Sequence, residues 1–134
     1  LSNDPYTALN ALLQNNSNIT SLLGTYQGGS IPLIKGGVLA ETETDLPAIT
    51  FYSSSLDKNF NQRESVFTLN CYANTERNSF LLASTIIDEY QSWFGVSNGY
   101  NMMTQARILS VIPDPTANEV NTAVEIRLIN IGGA

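Results

Sequence analysis

The residue pattern of this 134-residue chain predicts an α+β fold: a mainly antiparallel four-stranded sheet with one long helix packed on it and a short N-terminal helical pair. Three observations carry that reading. The run Glu64-Ser-Val-Phe-Thr-Leu-Asn-Cys-Tyr-Ala73 sets Val66, Thr68, Asn70 and Tyr72 against Phe67, Leu69, Cys71 and Ala73, the period of two of a strand. After Asn74-Thr75 the period lengthens: Phe80, Ala83, Ile86, Ile87, Tyr90, Trp93 and Phe94 recur at helical spacing, and Gly95 supplies a stop. One pair of strand-like runs precedes or enters this helix and another follows it. The order along the chain is therefore helix–helix–strand–strand–helix–strand–strand.

Asn3-Asp4-Pro5 is a helix start, with a capping side chain and a proline in the first turn. Tyr6, Leu9, Leu12 and Leu13 then form one apolar stripe to about Asn15. Asn18 caps a second short turn with Ile19, Leu22 and Leu23, which Gly24 stops. The segment 28–37 holds four glycines and a proline, and is expected to be irregular around a short strand at Ile31–Ile34. Pro47-Ala-Ile-Thr-Phe-Tyr52 reads as a strand with proline at its start, where a missing donor is tolerated. The polar stretch 53–62 is a long hairpin loop. After the long helix, Tyr100–Ile112 forms a strand with Ala106, Ile108, Ser110 and Ile112 opposite Arg107, Leu109 and Val111. Pro113-Asp-Pro115 turns the chain, and Val120, Thr122, Val124, Ile126 and Leu128 share one face of the last strand.

Length predicts one domain over 1–134, with neither an internal repeat nor a linker. Hydrophobic residues make up 43%, enough for a core, but charged residues only 13%, about half of the usual ~25%. An amide- and hydroxyl-rich surface of this kind loses little hydration when covered, which suits extensive protein contacts. The net charge of −6 and six scattered Lys and Arg argue against a nucleic-acid-binding surface, although an acidic wall can repel DNA from a passage. The single Cys71 lies among strand residues as a buried structural thiol and excludes an intrachain disulfide. No apolar run approaches the roughly 20 residues of a membrane-spanning helix, and no signal-peptide pattern opens the sequence. The expectation is a soluble protein made in a cytoplasm.

Reactive constellations are absent from the sequence. There is no histidine, which removes His-based triads and most zinc sites. Neither Gly28-Gly29 nor Gly36-Gly37 sits in the strand–glycine–helix context of a phosphate cradle. Glu41, Glu43 and Asp45 alternate and could offer oxygen ligands to Ca²⁺, but the EF-hand glycine and closing glutamate are missing, so a solvated loop is the preferred reading. Asp88-Glu89 is read as the wet face of the long helix, and Tyr90, Trp93 and Phe94 as core. Asp57 and Glu64 bracket Lys58 and Arg63 as local charge balance. No catalytic residue, cofactor or metal site is assigned, and the chain is expected not to be an enzyme. Arg107 and Arg127 each interrupt an apolar strand. On neighbouring strands they would mark a sheet face not covered by the long helix, leaving it to the N-terminal helices or another subunit.

The unit Phe67-Thr-Leu-Asn-Cys-Tyr-Ala-Asn-Thr75 followed by Phe80-Leu-Leu-Ala-Ser-Thr-Ile-Ile-Asp88 resembles the tail terminator (tail completion) proteins of tailed bacteriophages. Their scheme has an N-terminal region with paired leucines, then an irregular segment leading to an LPxIxF strand, matched here by Leu46-Pro-Ala-Ile-Thr-Phe51. A strand ending in an aromatic-Ala doublet, a helix and two closing strands complete it. Nearly the whole chain follows this order; the Gly-rich 28–37 segment has no counterpart. The resemblance implies a homo-oligomeric ring, usually hexameric, that caps the finished tail tube. Its partners would be the major tail tube protein and a head-side connector or stopper protein. DNA would pass through the lumen without specific binding, with Glu41, Glu43 and Asp45 as lumen candidates. Lys35, Lys58, Arg63, Arg107 and Arg127 complete the candidate contact residues. The implied location is the head-proximal end of the virion tail, after assembly in the host cytoplasm. A head–tail joining protein of the virion, or a small metal- or ligand-binding α+β domain, are the alternatives.

Overall fold

A computed structural model describes residues 5–25, 29, 31–36, 46–55, 64–97, 99–114 and 119–131. Helix α1 (Pro5–Gln14) starts with proline at its first position, where the missing N–H costs nothing, and buries Ala8, Leu9, Leu12 and Leu13 at i, i+3, i+4 spacing. One turn, α2 (Ser17–Thr20), is capped by Asn16, not Asn18: the Asn16 side chain accepts the Asn18 N–H. Strand β1 (Ile34–Gly36) is short, and β2 (Ala48–Ser55) and β3 (Glu64–Ala73) follow. Thr75 caps α3 (Glu76–Tyr90), accepting the Asn78 N–H. The chain ends with β4 (Phe94–Ser97), β5 (Tyr100–Asp114) and β6 (Glu119–Asn130).

The six strands form one sheet in the order β1-β2-β3-β6-β5-β4, curled into a half-barrel. All neighbours are antiparallel except β1 and β2, which run parallel. This corrects the expected four-stranded sheet with one long helix. The two additional strands, β1 and β4, are three and four residues long, too short for alternation to show in sequence. The short strand expected at Ile31–Ile34 begins instead at Ile34, and β4 stands where the long helix was expected to continue.

β4 exists because α3 stops early. The helix ends at Tyr90, whose carbonyl accepts the Thr104 hydroxyl at 2.6 Å, and Trp93 C=O then accepts the Thr104 N–H. Trp93 and Phe94 thus lie outside the helix, and Phe94 is 69% exposed on an edge strand instead of being core. The buried stripe of α3 is Ser79, Leu82, Ala83, Ile86 and Tyr90. Phe80, expected in the stripe, faces outward beside Leu81.

One core gathers Leu9, Leu12 and Leu13 of α1, Leu82 and Ile86 of α3, and the sheet residues Phe51, Phe67, Leu69, Val124, Ile126 and Leu128. Tyr6 joins it through a ring contact to Phe67, with centroids 5.2 Å apart. Ser79 adds one polar tie, its hydroxyl bonded to the Cys71 carbonyl and to Thr122 Oγ1, both at 2.7 Å. The three helices among the described residues therefore share one face of the sheet. The N-terminal pair does not cover the second face.

Candidate functional site

The second face of the sheet is built by the alternate residues of each strand. Register lines these up in rows across the sheet. Phe94, Met103, Ile129 and Glu64 form one row; Gln105, Arg127 and Val66 the next; then Arg107, Glu125, Thr68 and Tyr52. Beyond them lie Ser110, Ala123, Asn70 and Thr50, then Ile112, Asn121, Tyr72 and Ala48. A β-bulge between Ile108 and Ser110 adds one residue to β5. It separates Ser110 and Ile112 from Ala106 and Ile108, with which strict alternation would have grouped them.

Charge on this face forms a chain of alternating sign. Arg107 Nε donates to Glu125 Oε1 at 3.1 Å, Arg127 Nε lies 3.4 Å from the same oxygen, and Arg127 NH1 reaches Glu64 Oε1 at 2.8 Å. The hydrogen bond from Arg107 leads in holding the Glu125 carboxyl below the usual carboxylate range, against the opposing effect of partial burial. The same bond raises Arg107. Exposed pairs of this kind contribute little stability individually, so the chain sets orientation more than energy. A polar ladder runs alongside: Asn121 Nδ2 donates to Asn70 Oδ1 at 3.0 Å, and Asn70 Nδ2 reaches Thr50 Oγ1 at 3.5 Å. The buried Asn121 Oδ1 has no partner among the described residues.

β5 and β6 are neighbours, the condition under which Arg107 and Arg127 share a sheet face, and the carboxylates between and beside them were not anticipated. Glu64 pairs with Arg127 across β3 and β6. Only strand register could have revealed that. Lys35 stands in β1 opposite Thr50, far along the sheet from the arginines. Glu41, Glu43, Asp45, Lys58 and Arg63 lie outside the described residues, as do positions 28, 30 and 37 of the Gly-rich segment. Among the described residues no group of three or more His, Cys, Asp or Glu could hold a metal. Cys71 is fully buried, and burial raises its thiol well above the usual range.

A second feature lies at the C-terminal end of α3, where α1, α2 and β4 converge on a cavity of about 470 Å³. Glu89 is fixed there by two amides: Asn16 Nδ2 donates to Oε1 at 2.8 Å and Asn18 Nδ2 to Oε2 at 3.3 Å. Tyr90 donates its hydroxyl to the Leu12 carbonyl at 2.6 Å, and burial raises its pKa. Its ring meets Trp93 edge-on, with centroids 5.7 Å apart. Trp93 and the exposed Val96 line the same cavity. Glu89, read from sequence as part of a solvated helix face, is thus held in place by side chains 71 to 73 positions away.

No protein-family model matches the chain, and no curated protein sequence does. Its fold is similar to that of a chain in the solved virion of a native gene transfer agent (GTA) particle, with a TM-score of 0.62 and 13% sequence identity. The match covers 96% of this chain and 96% of that one. At this identity the likeness is one of fold, and it extends over both chains almost end to end.

Proposed function

We propose that this chain is a structural virion protein of a phage-like particle, one that caps the completed tail tube as a ring and presents a docking surface to the head-side connector. The observation that carries the reading is the end-to-end fold likeness to a chain of a GTA virion. The helix-free sheet face, with its neutralised chain of arginines and glutamates and its apolar end at Phe94 and Met103, is the kind of surface that a neighbouring protein covers. On this reading the protein is not an enzyme, uses no cofactor, and meets the tail tube protein, the connector and copies of itself. DNA passes the ring without specific binding, and the net charge of −6 disfavours its adhesion.

Electron microscopy of particles made without this chain tests the proposal. Over-long, uncapped tails are expected. Tails of normal length beside DNA-filled or empty tailless heads would instead assign the chain to head–tail joining.

A further inference from the structure

The cavity at the end of α3 collects negative potential and is lined by no Lys or Arg among the described residues. Helices α1 and α3 both bring their C-terminal turns to it: Ala11 and Leu12 line one side, Glu89 and Tyr90 another. Neither helix carries a basic residue in its last turn, and a helix C-terminus is the end that favours cations. The N-terminus of α2 opposes them weakly, because α2 is one turn long and Asn16 Oδ1 already accepts the Asn18 N–H.

Glu89 adds a carboxylate of fixed orientation. Asn16 Nδ2 holds Oε1 and Asn18 Nδ2 holds Oε2, which occupies one of about two acceptor sites on each oxygen. Acceptor capacity remains, and Glu89 has no ion pair among the described residues. Such a donor set does not suit a metal ion: it is one carboxylate flanked by amide N–H groups, not a cage of several oxygens. The half-buried Trp93 supplies an aromatic wall, the partner that an organic cation prefers.

We propose that this cavity binds an organic cation, an ammonium or guanidinium head on a short aliphatic stem, with the head on Glu89 and the stem along Trp93. The volume of about 470 Å³ falls within the ~300–1,000 Å³ of small-ligand sites. The cavity lies on the helix side of the sheet, so the site is independent of the helix-free face and of any ring.

Trp93 is the single tryptophan of the chain, so its emission reads the cavity directly. The purified protein is titrated at low salt with n-butylammonium, n-butylguanidinium, neutral 1-butanol and Ca²⁺. A saturable change is expected with at least one of the two organic cations and with neither control. Glu89→Gln should weaken that binding about tenfold through loss of the charge-assisted bond. Asn15→Lys keeps Glu89 and sets a tethered ammonium at the exposed cavity edge. It should weaken the added cation about tenfold by intramolecular competition. Circular dichroism confirms folding of both variants, and Asn15→Lys carries the test should Glu89→Gln misfold. Nα-acetylarginine amide separates the sources of the cation. Its binding beside n-butylguanidinium supports a side chain of another protein as the occupant, and its exclusion supports a free small molecule. No saturable change with either organic cation, an equal response to 1-butanol or Ca²⁺, or affinity unmoved in the folded variants would overturn the site.

Discussion

Replacing Ser79 with alanine removes a polar tie from the apolar contact between α3 and the sheet. Ser79 is fully buried, and its hydroxyl donates to the Cys71 carbonyl at 2.7 Å. Its single proton is used there, so the 2.7 Å contact with Thr122 must run from the threonine hydroxyl to Ser79 Oγ. Thr122 is also fully buried. Ser79→Ala therefore loses one hydrogen bond and strands the Thr122 donor without water, a cost of about 2 kcal/mol after the small gain in helix propensity. Thr122→Val keeps the shape and leaves Ser79 bonded to Cys71, for about 1 kcal/mol. The double variant strands no donor, so its cost should fall short of the summed single costs by about 1 kcal/mol. Urea denaturation followed by circular dichroism measures all three. Strict additivity, or a neutral Ser79→Ala, would refute the argument that this pair fastens α3 to the strands.

At Gly95 an added Cβ would lie 2.5 Å from the Trp93 ring. Gly95→Ala should displace the indole, red-shift its fluorescence and destabilise by about 1–3 kcal/mol; unchanged emission would contradict this. Glu125 is held below its unfolded pKa, so its contribution to stability is present above the unfolded value and lost as pH falls through the folded one. Thermal melts of Glu125→Gln should therefore lie below wild type at pH 7 and converge with it in acid, whereas a gap of constant size would show that the titration is not linked to folding. Cys71, fully buried with its thiolate disfavoured, should resist iodoacetamide in native protein and react on unfolding. Native labelling at the rate of a free thiol would contradict its placement.

The strand Glu64–Ala73 and the helix beginning at Glu76 were readable because each repeats its own period over ten or more residues. The stop was not readable. Trp93 and Phe94 continue a helical spacing, yet the helix ends at Tyr90, where Thr104, fourteen positions on, takes the terminal carbonyl. That is a tertiary signal with no local trace. Sequence alternation also fails at the Leu109 bulge, beyond which Ser110 and Ile112 change face. Arg107 and Arg127 were legible as companions because alternation sets each on its face, but their shared partner Glu125 depends on register. The parallel pairing of β1 with β2 is likewise a product of topology, not of the three residues Ile34–Gly36. The Glu89 cavity was hidden for the same reason: its amides come from Asn16 and Asn18, at the other end of the chain.

Counting copies of this chain on purified tails of different length addresses the cap directly. Fluorescently labelled chain, located by single-particle imaging, should mark one end of each tail with a constant number of copies whatever the tail's length. Label distributed along the tail in proportion to its length, or none on tails at all, would contradict a terminal ring.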